Sequence, residues 1–166
     1  DRYDTDTNKA RILAHEYGHA IHFQNEIITY TKTNEKFDEF YNKSRKLFKD
    51  NYDIKNFDRD WKQLRYSGEF NVKYGSRYTE SEIIEMYLAV ADHIGGLTRG
   101  RQGYGHKKSY YNSKYNLAKM EVFAHASENY FVGNQLFKDY FPDLYEESIK
   151  YMKEVSRVYG RWDATY

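Results

Sequence analysis

The sequence predicts a mainly α fold, with α+β as its outer limit and a small sheet or none. Three observations carry that expectation. Apolar residues recur at helical spacing in five segments, recognisable caps and stops bound most of those segments, and one proline in 166 residues leaves helix interiors unbroken. Two of the segments carry clustered His and Glu, and the fold expected is one in which those two helices pack on each other.

The elements follow in order. Thr5, Asp6 and Thr7 offer N-caps to a helix over 8–24, in which Ile12, Leu13, Tyr17, Ala20 and Ile21 form the apolar stripe. Residues 35–49 predict a second helix with Phe37, Phe40, Tyr41, Leu47 and Phe48 inside. Residues 50–78 are the least periodic, and alternation at Phe70, Val72 and Tyr74 predicts a short strand. Thr79-Glu80-Ser81-Glu82 has the form of a capping box, opening a helix through Ile83, Met86, Tyr87, Val90 and Ile94 that Gly95-Gly96 should stop. A helix over 115–132 should end at Gly133, and another should start at Pro142, run through Leu144, Ile149, Met152 and Val155, and end at Gly160.

The length suits one domain spanning 1–166, with no repeat and no linker. A start at Asp1-Arg2-Tyr3 rather than Met reads as a piece, the C-terminal part, of a longer polypeptide. Net charge is +1, so no global field favours nucleic acid or an acidic membrane, and no apolar run approaches the ~20 residues a membrane span needs. With no Cys, transition-metal ligands must be His or carboxylate. The 19 Tyr and 10 Phe predict an aromatic core whose hydroxyls reach its wet edges.

The chemistry concentrates at Ala14-His15-Glu16-Tyr17-Gly18-His19. Two His four apart share a helix face, roughly 40° apart around the axis and about 6 Å along it, so both imidazoles reach one ion. Glu16 projects beside them, placed to move a proton without binding the metal. Zinc would lower a bound water's pKa to about 7 and polarise a carbonyl. The flanking Ile12-Leu13-Ala14 and Ala20-Ile21 should bury the helix, which separates this reading from a polar seam on a surface helix. Gly18 costs on the order of 1 kcal/mol mid-helix, so a backbone or substrate should approach there. His22, about 10 Å from His15 along the axis, reads as a neighbour of the site.

A third ligand must come from elsewhere. Glu121, His125 and Glu128 share one face of the later helix, and His93 and His106 are further candidates. Glu121-Val122-Phe123-Ala124-His125 resembles the E-x-F-A-E element of gluzincin peptidases of the anthrax lethal factor type. That resemblance implies Glu121 as the zinc ligand. His125 stands where those enzymes have a second carboxylate, which leaves it as an alternative ligand, a residue orienting a ligand His, or packing; Asp92, His93 and Glu128 are further groups of that kind. The long gap from His19 to Glu121 implies a substantial insertion between the two metal helices.

A broader resemblance spans most of the chain. Ala14–Ala20, Ala91-Asp92-His93-Ile94-Gly95-Gly96-Leu97-Thr98-Arg99-Gly100, Gly103–Tyr111, Glu121-x-Phe123-Ala124 and Tyr140-Phe141-Pro142, in that order, resemble the C-terminal zincin-like region of phage and prophage minor head proteins. It implies a zincin-like domain acting on a protein or peptide, in company with head and portal proteins, in the virion or in the bacterial cytoplasm during phage assembly. A structural or DNA-contacting assembly module with a structural zinc is the alternative.

Between His93 and Met120 no acidic residue occurs, while Arg99, Arg101, Lys107, Lys108, Lys114, Lys119 and five of the ten Gly do. Such a loop reads as a lid over a cleft, a solvated surface loop, or a strip making weak, salt-dependent DNA contact through residues 99–119. Zincins hold the oxyanion of the tetrahedral intermediate with a His or Tyr. By its distance from Glu121 the lethal-factor resemblance points to Tyr115, with His106, Tyr110 and Tyr111 competing.

Overall fold

The computed structural model describes residues 5–28, 32–114 and 116–159. They form helices alone, with no strand among the described residues: α1 (Asp6–Ile28), α2 (Lys32–Asn51), α3 (Ile54–Ser67), α4 (Glu69–Lys73), α5 (Glu80–Thr98), α6 (Lys108–Tyr111), α7 (Leu117–Phe131), α8 (Gln135–Tyr140) and α9 (Pro142–Tyr159). None of these helices is long and apolar enough to cross a membrane.

α7 is the centre. Every residue from Met120 to Asn129 is buried, because α1, α5 and α9 surround it. Its apolar side sends Phe123 between Phe37 of α2 and Tyr151 of α9, at ring separations of 5.5 and 5.9 Å. Its other side carries Glu121, His125 and Glu128 toward α1 and α5. A helix enclosed all round and bearing three ionisable groups on one face must find partners for them.

The aromatic core is as expected. Trp61 and Phe57 both stack on Tyr87, at 4.1 and 5.1 Å, and the Tyr87 hydroxyl escapes to Asp58 at 3.0 Å. Tyr74 donates to Asp139 and Tyr41 to the Gly96 carbonyl in the same manner. The capping box at Thr79 is also present: Thr79 N–H donates to Glu82 Oε2 and Glu82 N–H to Thr79 Oγ1.

Three expectations are corrected. The predicted strand at Phe70–Tyr74 is α4 followed by turns, with Val72 exposed. A lone short strand has no ladder partner, and a helical turn satisfies the backbone locally. Gly95-Gly96 does not stop α5, which continues to Thr98 and ends at Arg99 in the left-handed region. These glycines serve packing instead: a Cβ on Gly96 would lie 2.7 Å from the Ala118 carbonyl, and one on Gly95 would overlap the Tyr111 ring. The stripe predicted to bury α1 is partly outside, with Leu13 73% and Tyr17 51% exposed and Ile12 also exposed. The buried seam is Asn8, Arg11, Ala14 and Gly18, small or hydrogen-bonded side chains matched to Ala124, Ser127 and Glu128 of α7. The predicted stop at Gly160 lies outside the described residues.

Candidate metal centre

The approach of α1 to α7 begins at Gly18. A Cβ there would sit 2.7 Å from Ala124 Cα, so only glycine lets the two backbones come this close. Ser127 Oγ donates to the Ala14 carbonyl at 2.8 Å and fixes the register. In that register His15 and His19, on one face of α1, meet Glu121 on α7. The two Nε2 atoms are 3.2 Å apart, Glu121 Oε2 is 3.4 Å from His15 Nε2, and Oε1 is 3.8 Å from His19 Nε2.

No family model, curated protein or solved structure matches this chain. The site therefore rests on its own geometry.

Four-coordinate zinc with bonds of about 2.0–2.1 Å places neighbouring donors about 3.3 Å apart, and the three separations bracket that edge. Glu121 is only 2% exposed, and its Oε2 has no hydrogen-bond partner among the described residues. Burial alone would raise its pKa. The His15 ring beside it, the Tyr110 hydroxyl and the charge of His125 outweigh that and hold it at about 2, so the carboxylate is ionised and an acceptor is presented. Burial lowers the His19 pKa against the opposing pull of Glu121, which favours the neutral, ligating imidazole. A buried anion and two imidazoles facing one point are a donor set that a divalent cation fits. Glu16 lies on the exposed side of α1, in the wall of a cleft of about 530 Å³ shared with Ile12, His15, Leu88, Asp92 and His106.

Behind this set runs a buried chain of charges. Arg11 donates to Glu128 at 2.9 Å; Glu128 faces His125 Nδ1 at 3.1 Å; His125 Nε2 faces Asp92 Oδ2 at 3.2 Å. Burial by itself depresses the His125 pKa, yet the carboxylates of Asp92 and Glu128 overcome it and raise it to about 10. His125 thus holds both ring protons at neutral pH, with its ring edge-on to His15 at 4.5 Å. Of the two candidates on α7, Glu121 is the one whose carboxylate meets His15 and His19.

The glycine-rich loop lines the cleft through Gly105 and His106 and is tied down by hydrogen bonds. Tyr104 N–H donates to the Ala91 carbonyl, Tyr111 donates its hydroxyl proton to Asp92, and that hydroxyl accepts from His106 N–H at 3.1 Å. Tyr110 donates to Glu121 Oε1, and its ring stacks on His106 at 4.0 Å. His106 Nε2 stands 3.5 Å from Asp92 Oδ2 and 3.6 Å from Glu121 Oε1.

Of the residues singled out from sequence, His15, His19, Glu16, Glu121, His106, Asp92, His125 and Glu128 are therefore neighbours. Tyr115 and the His22 side chain lie outside the described residues. His93 is fully buried against Phe137, and neither ring nitrogen has a hydrogen-bond partner among the described residues. It orients no ligand. Arg11 escaped the sequence reading, although it lies one turn before His15 and Glu128 calls for a buried cation.

Proposed function

We propose that the chain is a zinc-dependent peptidase domain in which His15, His19 and Glu121 hold the ion. The observation that carries this reading is the convergence of three donor atoms, 3.2–3.8 Å apart, on a cleft that also exposes a carboxylate. Zinc bound there supplies Lewis-acid polarisation of a peptide carbonyl and a water of lowered pKa. Glu16, one position after His15 and facing the cleft, takes a proton from the attacking water and passes it to the departing amine. Tyr110 keeps its proton, because burial and the neighbouring Glu121 push its pKa upward, and it is held beside the site by Glu121. Turning from Glu121 to the carbonyl oxygen, its hydroxyl would bring that proton to the developing charge. Asp92 holds Tyr111 and, through it, the loop that carries Tyr110.

The five sequence blocks that resemble phage minor head proteins supply the setting of this proposal. The domain belongs to a head-morphogenesis protein, its substrate is a protein or peptide of the assembling particle, and it works in the virion or in the bacterial cytoplasm during assembly. A DNA role for the loop is less supported, because Tyr110 and Tyr111 are engaged with Glu121 and Asp92, and Lys119 pairs with Asp38.

Elemental analysis of chain purified without chelator, combined with digestion of a peptide library, tests the proposal. Zinc with cleavage that Glu16→Gln abolishes is the expected result. Zinc without cleavage would make the ion a structural staple, and absence of zinc would remove the reading.

A further inference from the structure

In the zinc reading Glu121 is met from α1 by His15 and His19. That leaves unexplained why two more imidazoles and another buried carboxylate converge on the same place from other elements. Those groups come from three separate elements: Asp92 from α5, His106 from the loop, His125 from α7. Asp92 Oδ2 is the hub, 3.2 Å from His125 Nε2 and 3.5 Å from His106 Nε2, and His106 Nε2 is in turn 3.6 Å from Glu121 Oε1. Donor atoms of Asp92, Glu121 and His125 lie within 4.8 Å of one another.

We propose that Asp92, His106 and His125, together with Glu121 as a shared ligand, form a second site for a divalent first-row cation. It rests on the peptidase reading only in that Glu121 is common to both.

Three features support it. The donors are two imidazoles and two carboxylates, the mixture that zinc and its first-row neighbours take from proteins. His125 is oriented as ligating imidazoles are, with its remote Nδ1 fixed by a carboxylate that is itself fixed: Glu128 holds Nδ1 and Arg11 holds Glu128. Asp92 and Glu121 are both buried, so their adjacent negative charges call for a cation between them. With Nδ1 turned to Glu128, Nε2 is the ring atom left to face Asp92 and the ion. His106 lies in the wall of the cleft with Asp92 and His125, so an ion reaches the site from outside. Two cations bridged by one carboxylate are the arrangement by which paired-metal hydrolases hold both the attacking and the departing atoms.

The test uses the full chain, stripped by chelator and titrated with Zn²⁺ at neutral pH by calorimetry, with bound metal counted by elemental analysis. Wild type should show two binding events. His106→Gln, a change at an exposed loop position, should lose one of them with helicity unchanged by circular dichroism, and Asp92→Asn should lose the same event. His15→Ala combined with His19→Ala should lose the other and keep the His106-dependent one. A single event in wild type that persists unchanged in His106→Gln overturns the second site. A single event lost in His106→Gln but kept in the His15/His19 variant overturns the peptidase site and leaves this one standing. No binding in wild type overturns both. If Asp92→Asn unfolds, His106→Gln decides alone.

Discussion

Glu16 is exposed on α1 and Glu121 is buried on α7, so their substitutions should separate proton transfer from metal binding. Glu16→Gln keeps the shape of the side chain and removes its basicity. Zinc content should stay at the wild-type level while any hydrolysis disappears, as elemental analysis and peptide digestion on one preparation would show. On α7 the ranking is between Glu121 and His125. Glu121→Ala removes a donor from the three-atom set and should empty the His15/His19 site. His125→Ala leaves the three-atom set intact, so the His15/His19 event should survive, weakened by about 10- to 100-fold, while the His106-dependent event is lost. A zinc titration of both variants gives the order, and the reverse order would make His125 the ligand of that site.

At the scale of elements, the decisive contact is α1 on α7 at Gly18. Gly18→Ala removes a residue that costs on the order of 1 kcal/mol in an isolated helix, so propensity alone predicts stabilisation. The structure predicts the opposite. The new methyl would meet Ala124 Cα at 2.7 Å and Ser127 Cβ at 2.9 Å, and overpacking of this kind costs about 1–3 kcal/mol. Denaturant unfolding should show a loss of stability, accompanied by weaker zinc binding as the helices part. Gly18 was legible in sequence as a close approach, and the capping box and the α7 face at Glu121, His125 and Glu128 were legible as well. The burial of α1 was not. Hydropathy assigns Leu13 and Tyr17 inward, whereas the partner helix offers Ala124, Ser127 and Glu128, which select small and hydrogen-bonding residues. The loop partners were illegible for a related reason: spacing along a chain does not say which of Tyr110, Tyr111 and His106 folds back onto which carboxylate. Composition foretold the helical class and the aromatic core, but not helices α3 and α4 in the stretch where periodicity fades.

For the whole molecule, the buried histidines set how stability depends on acidity. His125 has its pKa raised in the fold to about 10 from the usual 6.5, so its contribution is complete below pH 6.5 and is lost as pH rises toward 10. His93 and His19 are shifted the other way, chiefly by burial, so they stay neutral in the fold while the unfolded chain takes up protons below pH 6.5. Glu121, held at about 2, adds a further loss once pH falls below its usual 4.5. The chelator-treated chain should therefore be most stable near pH 6.5 and decline on both sides. Melting temperature against pH measures this, and His125→Gln should flatten the alkaline limb. A stability that rises steadily from pH 6.5 to the alkaline end would contradict the buried imidazolium.

The separation of His19 from Glu121 along the chain also sets a clock. α1 leaves the ribosome with both imidazoles in place, yet the carboxylate that completes their site follows 102 residues later, the difference between positions 19 and 121. At synthesis rates of about 5–20 residues per second, that delay is roughly 5–20 s. During it the nascent polypeptide holds only a pair of histidines on a lone amphipathic helix, too weak a grip to capture an ion. If the centre is the zinc peptidase proposed above, its chemistry is withheld until α7 has been made and enclosed.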